Sequence, residues 1–365
     1  MATTILNKPS GLILSDTLRR VSIQTSATYV AVTLKTVSGV VIYENTLYPS
    51  QGVAVMYETH NVIEGYMRTH TASLCGFTLE VAEEGLPGVA DSCSFKVLYC
   101  DNSVNIEDAF RLTDSRFLTS RMSRRVPTSF TDSVAVLMSG GEALSYEIHY
   151  TVRNIPSGEL ITGTIFTALQ TSAVDVVRVF TINSALILGQ ASVQAGVVIR
   201  DLQIVSFSVS CGSRALSYYV DPALSEDACF TFRNMFNVTE RIYLPCATTT
   251  NTELEQQSGI IDGTLVMYDR VLTRSYTVTT GPLSVREART VDALLGSHAV
   301  QKINIVSGVE GAYPIVITDM SCEITDDPEE PSTVEFTWQY TDTRPVTLID
   351  IPVRIFSSQF NICFS

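Results

Sequence analysis

The sequence predicts a mainly β protein: tandem antiparallel β-sandwich-like domains, followed by an α+β domain with one helix packed on a sheet. Three observations predict it. Charged residues make up only 17% of the 365 positions, and Val, Ile, Thr, Ser and Tyr dominate the rest, a composition suited to half-buried pleated surfaces. Segments that alternate polar and apolar residues recur between turns, at roughly the 8 to 12 residue spacing of antiparallel sheets. One stretch, Ser284–Gly296, carries a full set of helix start and stop signals.

The length allows two or three cores, and the turn pattern places domains at 1–125, 126–220 and 221–365. In the first, Tyr29–Leu34 and Val40–Leu47 flank Ser38-Gly39 as a hairpin, and a turn at Pro49–Gly52 leads into Val53–Tyr57. Cys93–Cys100 alternates as another strand. Asn105–Leu112 predicts a short helical turn, with Asn105 as N-cap and Glu107 and Asp108 near its positive end. In the second, Asp132–Met138 is expected to return through Ser139-Gly140-Gly141 into Leu144–Val152. Leu160–Leu169, Val174–Ile182, Val197–Ile199 and Leu202–Val209 follow as strands. Tyr29–Tyr57 and Ser133–Phe166 share this order of strand and turn, a weak internal similarity open both to duplication and to ordinary sheet spacing.

Asp221–Asp227 marks the expected start of the last domain. Strands are expected at Glu240–Leu244, Gly259–Arg270, Arg274–Thr279, Ile303–Val306, Ile315–Thr325, Thr333–Tyr340 and Pro352–Phe356, with the acidic turn Asp326–Pro331 closing a long hairpin. The helix lies between them. Ser284 and Glu287 have capping-box spacing, Gly296 is placed to end the helix in a left-handed conformation, and Ala288, Val291 and Leu295 share a face.

Charge bounds the partners. With 38 acidic against 24 basic residues the net charge is −14, which repels phosphate backbones and anionic headgroups and so argues against nucleic acid. No apolar run approaches the roughly 20 residues of a membrane helix, and no secretory leader is recognised, so cytoplasmic synthesis is expected. The eight cysteines show no CxxC and no zinc-ligand spacing, and buried reduced thiols are the expectation. The one basic cluster is Arg116, Arg121, Arg124 and Arg125, read either as a solvated or salt-bridged connector or as a docking patch.

Catalytic signatures are missing. The four histidines, His60, His70, His149 and His298, have no metal-ligand spacing, and no nucleophile elbow, P-loop or dinucleotide fingerprint occurs. Asp326–Glu330 lacks the alternating pattern of a calcium loop. The expectation is no enzyme, cofactor or metal. The single Trp338 lies on one face of its strand with Val334, Phe336 and Tyr340, a core or subunit-facing stripe. Were it to cluster at a surface with Tyr218, Tyr219 and Tyr340, a host-surface glycan-binding or adhesion module would be the alternative.

The last third has a recognisable texture. Phe232–Phe236, the strand ending Tyr243-Leu244, Ser275–Leu283, the capped helix and the tail Arg354–Asn361 together resemble uncharacterised β-rich proteins of tailed bacteriophages and prophages of gut bacteria, over about Asp221–Ser365. The resemblance implies a virion protein of the tail, baseplate or fibre-attachment region, made in the host cytoplasm without a leader. It carries no functional residues. Such a protein is expected to be a homo-oligomer that also binds other virion proteins. The assembly candidates are Arg121, Arg124, Arg125, Trp338 and the apolar tail residues Ile355, Phe356, Phe360 and Phe364, the tail either exchanging with a neighbour or closing its own sheet.

Overall fold

The computed structural model is mainly β, as the composition predicts. It describes residues 3–85, 87–101, 117–119, 121–168, 170–212, 214–261, 264–306, 309–324 and 330–342. The expected helical turn at Asn105–Leu112, Arg116, the acidic turn Asp326–Glu329, and the tail with Ile355, Phe356, Phe360 and Phe364 lie outside the described residues. The chain divides into two compact units, Met1–Tyr243 and Leu244–Ser365.

The first unit begins with β1 (Thr4–Ile5), β2 (Gly11–Leu14), β3 (Arg20–Gln24), β4 (Val30–Thr36), β5 (Val41–Leu47), β6 (Val53–Tyr57), helix α1 (Thr59–Thr69), β7 (Leu74–Glu83) and β8 (Asp91–Leu98). They form a sheet of order β2-β8-β7-β4-β5 and a smaller one of order β1-β3-β6. Strict alternation along β4 turns Val30, Val32 and Leu34 inward, where they meet Val21, Ile23, Met56 and Phe77 in one core. Helix α1 adds Ile63 and Met67 to that core. Sequence reading missed α1, whose Thr, Asn and Gly65 are poor helix formers. Its apolar residues Val62, Ile63, Tyr66 and Met67 do follow helical spacing. Glu64 is buried at its centre, accepting from the Ser15 hydroxyl at 2.8 Å and lying 3.4 Å from Arg68.

The unit continues with β9 (Ser123–Val126), β10 (Thr131–Met138), β11 (Ala143–Leu144), β12 (Glu147–Asn154), β13 (Leu160–Phe166), β14 (Gln170–Thr171), β15 (Val176–Asn183), helix α2 (Ser184–Ala195), β16 (Leu202–Cys211) and β17 (Arg214–Val220). One sheet runs β13-β12-β16-β17-β9, its last pair parallel, and β10 pairs antiparallel with β15. The expected return of β10 into Leu144–Val152 does not form. Its ladder with β15 spans Thr131–Met138, and β12 pairs instead with β13 and β16. The strand order nevertheless repeats when aligned one strand later than the turn spacing suggests. Order β9-β17-β16-β12-β13 matches β2-β8-β7-β4-β5, each beginning with a parallel pair, and β10–β15 matches β3–β6. Helix α2 stands between β15 and β16 as α1 does between β6 and β7, which favours duplication. The strand expected at Val197–Ile199 is instead a turn of 3₁₀ helix over Ile199–Asp201. Helix α2 was also missed, because Leu186, Ile187, Ala191 and Val193 give it no single apolar face. Asn183 caps it by accepting from Leu186 N–H, and Gly196 ends it at φ +65°.

A final hairpin of β18 (Cys229–Arg233) and β19 (Thr239–Tyr243) also belongs to the first unit, so the boundary expected at 220/221 falls inside that unit. Polar bonds from the hairpin's turn anchor it there. Asn237 donates to the carbonyls of Met67 and Ala72, both at 3.0 Å, and Asn234 donates to that of Leu118 at 2.8 Å.

The second unit holds β20 (Cys246–Ile261), β21 (Thr264–Thr280), helix α3 (Val285–Leu295), β22 (Val300–Val306), β23 (Val309–Cys322) and β24 (Val334–Tyr340). Its strands run β22-β23-β24-β21-β20, and β23 and β24 are antiparallel, as the long hairpin requires. The capping box of α3 is present, with Ser284 N–H donating to Glu287 Oε2 at 2.9 Å. Ala288, Val291, Leu294 and Leu295 are buried, as are Val334, Phe336 and Trp338. Gly296 departs from expectation: its φ is −79°, in the right-handed region, because its N–H bonds back to the Asp292 and Leu294 carbonyls without a left-handed turn.

Candidate assembly surface

Strand alternation decides which members of the arginine cluster reach the surface. In the parallel β9–β17 pair Arg124 lies opposite Tyr218 and Arg125 opposite Tyr219. Consecutive residues point to opposite faces, so Arg124 is 3% exposed while the Arg125 side chain reaches the surface, 38% exposed. Arg124 Nη1 donates to Asp132 Oδ2 at 2.7 Å and to the Ser133 carbonyl at 3.1 Å. Its Nη2 donates to Glu240 Oε1 at 3.2 Å, and the Tyr218 hydroxyl donates to the same Asp132 oxygen at 2.9 Å. Arg121 completes the group, with Nε 3.4 Å from Glu240 Oε2 and Nη2 donating to the Arg241 carbonyl at 2.7 Å.

Two arginines and two carboxylates thus form a neutral buried cluster joining β9, β10, β17 and β19. Burial alone would favour a neutral Arg124, but Asp132, Tyr218 and Glu240 hold it charged well above the ordinary range. Burial pulls Arg121 down, only partly offset by Glu240, and pushes the Tyr218 hydroxyl up beside Asp132. Arg121 and Arg124 are thus engaged with partners inside the unit. Arg125 alone of the three faces outward, ion-paired with Asp221.

Trp338 is likewise interior, 2% exposed and stacked on Tyr276 at 4.3 Å. Tyr218 is 1% exposed, so of the aromatics that a surface sugar platform would need, only Tyr219 is well exposed. Tyr219 stands at the rim of a shallow trough of about 490 Å³ on the open face of the β13-β12-β16-β17 region, among Thr151, Thr164, Ser206 and Ser208. His149 lies there too, 3.0 Å from the Thr164 hydroxyl and 3.2 Å from Glu147, on the polar face that its alternating strand predicts.

One long exposed feature is divided wrongly by sequence reading. Gly259–Arg270 was expected as one strand; instead β20 and β21 are 16 and 17 residues long and pair with each other from Cys246↔Thr280 to Ile261↔Thr264. Only Tyr276–Thr279 of β21 pairs with β24. Among the described residues, Asn251–Ile261 and Thr264–Ser275 pair with nothing but each other. At about 3.3 Å per residue this is an arm about 35 Å long. Every residue from Ala247 to Ser258 is exposed, and Leu254, Ile260, Met267 and Leu272 are between 40% and 75% exposed. The run Thr248-Thr249-Thr250 and the Leu254↔Leu272 pair supply its strand preference. A polar strand with no apolar face gives no alternating signal, which hid it from sequence reading.

No family model matches the chain, and no curated protein matches it. Among solved structures it is similar to a chain of the phage p2 baseplate in its activated conformation, at 11% identity and TM-score 0.24, covering 32% of this chain and 44% of that one. It is similar also to the plexin A4 extracellular region, at 9% identity and TM-score 0.23 over 94% of this chain and 40% of that one. A third likeness is to native Escherichia coli alpha-2-macroglobulin, at 7% identity and TM-score 0.21 over 76% and 21%. The chain spans less than half the length of each, and scores this low assign it to no family.

Proposed function

We propose that the protein is a structural subunit of a tailed-phage particle, binding copies of itself and neighbouring tail, baseplate or fibre proteins. It acts without catalysis or cofactor, and is made in the host cytoplasm and carried in the virion. The virion part of this reading rests on the resemblance of the last third. The assembly part rests on one observation, the β20–β21 arm. An isolated two-stranded ribbon is marginal in water, and an arm about 35 Å long with both edges unpaired among the described residues is completed at lowest cost by another chain.

The test is excision of the arm. Thr250 and Tyr276 are directly paired, so replacing Asn251–Ser275 by Asn-Gly closes the same ladder with a two-residue turn. Full-length protein is expected to form oligomers by light scattering, and the armless chain to run as a folded monomer with native Trp338 emission. Equal masses for the two chains would refute the assembly role of the arm.

A further inference from the structure

We infer that the outer edge of β20 is a strand-addition site for an extended segment of another protein with basic side chains at alternate positions. The inference deepens the assembly reading and rests on it. Natural edges are guarded by shortness, proline, bulges and charged side chains, lysine above all. The charges on β20 are Glu253 and Glu255, which guard against a like-charged edge but not against a basic one. β20 has 16 residues, stands last in its sheet, and contains no Lys, Arg or Pro. Its N–H and C=O groups form a ready ladder, interrupted only by a register shift at Gln257/Ser258.

Charge and symmetry select the occupant. Glu253 and Glu255 are exposed, two apart and therefore on one face, and among the described residues neither makes an ion pair. Two copies joined edge to edge at β20 would be related by a two-fold axis normal to the sheet, so every side chain stays on its own face. A joint centred on Leu254 then sets Glu253 against the partner subunit's Glu255. One centred on Glu253 or Glu255 sets each against its equivalent. These three oppose like charges directly, which is destabilising, while a joint centred on Thr252 sets Glu253 against Asn251 and Glu255 against Thr249 and gives neither glutamate an opposite charge. Nor does the free edge of β21 in a second copy, joined antiparallel to β20, supply the complement. Arg274 lies opposite Thr252, on the face away from Glu253. An incoming strand with Lys or Arg at alternate positions matches the glutamates with opposite charge, and the −14 net charge of the whole chain steers it in.

The experiment offers full-length protein a nine-residue probe peptide alternating lysine with threonine and valine, or the same peptide with glutamate for lysine. Binding is read by fluorescence anisotropy, and pairing by hydrogen exchange over Thr248–Gln257. Expected are slowed exchange with the lysine peptide and affinity weakened roughly tenfold in Glu253→Lys/Glu255→Lys. The glutamate peptide is expected to prefer the reversed variant. Unchanged exchange over β20, equal binding of both peptides, or a full-length dimer already protected along β20 would each overturn the inference. A chain whose mass depends on the arm but which ignores the lysine peptide loses this inference and keeps the assembly reading. Specific lysine-peptide binding with a mass indifferent to the arm does the reverse.

Discussion

Replacing Arg124 by methionine should be among the most damaging single changes in the first unit, and the cluster geometry sets its size. Methionine fills most of the volume but leaves Asp132 without its 2.7 Å partner and Glu240 without its 3.2 Å partner, both carboxylates being at most 3% exposed. Arg121, at 3.4 Å, still serves Glu240, so the uncompensated charge is mainly that of Asp132. Breaking a buried pair by removing one member costs about 3–5 kcal/mol, because the other charge stays buried. Adding Asp132→Asn removes that charge while keeping an acceptor for the Tyr218 hydroxyl, so the double variant should regain about half the loss. Urea unfolding should be followed by hydrogen exchange of peptides from β9, β10, β17 and β19, since the sole tryptophan, Trp338, lies in the other unit. A single-variant loss under about 1 kcal/mol, or a double variant no better than the single, would refute the claim that the cluster is held by mutual charge compensation.

Three further outcomes are expected. Burial pushes the Glu64 carboxyl above its ordinary 4.5, against the pull of the Ser15 hydroxyl and Arg68. The fold therefore favours its protonated form, and the stability of the native protein relative to Glu64→Gln should fall as pH rises from 4.5 through the raised value. A constant difference across that window in parallel urea titrations would contradict it. Asp175 is held below 3.8 by the Lys96 ammonium at 2.6 Å and the Gly140 N–H, so its contribution is present above 3.8 and disappears as pH falls through the lowered value. Both partners are partly exposed, so Asp175→Asn should cost only about 0.5 kcal/mol at neutral pH and nothing in strong acid, by thermal melts at each pH. Gly163→Ala would place a methyl 2.3 Å from the Tyr150 hydroxyl and 2.4 Å from Gln194 Oε1, prising apart their 2.6 Å hydrogen bond. A loss of about 1–3 kcal/mol is expected, and a melting temperature unchanged within error would count against that packing.

What the sequence made legible was what alternation and capping encode. β4, β8 and β24 were readable because one face of each is buried, and α3 because Ser284 and Glu287 spell out its start. Pairing was not readable: nothing in Leu144–Val152 says that it joins β13 and β16 rather than β10, since partner choice is settled by contacts distant in sequence. Arg124 shows a second limit. Next to Arg125 and close to Arg121 it reads as part of a basic surface patch, and only the parity of β9 together with Asp132 and Glu240, 8 and 116 residues away, puts it inside. β20 shows a third, for a strand exposed on both faces from Ala247 to Ser258 has no periodicity to find.

The arm's composition also limits how tightly any one partner strand can hold. Backbone hydrogen bonds contribute about 1 kcal/mol each net, while fixing each residue of an incoming flexible segment costs about 1–2 kcal/mol. Strand addition therefore comes out near zero until side-chain pairs are counted. Opposite-charge pairs at Glu253 and Glu255 add only about 0.2–1 kcal/mol each. Under the proposed assembly role, a single arm should be a weak and exchangeable contact. Lasting attachment then comes from many arms engaged together, where linked copies raise the effective concentration of each contact. A hydroxyl-rich, amide-rich strand suits that use: it stays hydrated while unpartnered, as an equally long apolar edge would not, and becomes strong only by repetition.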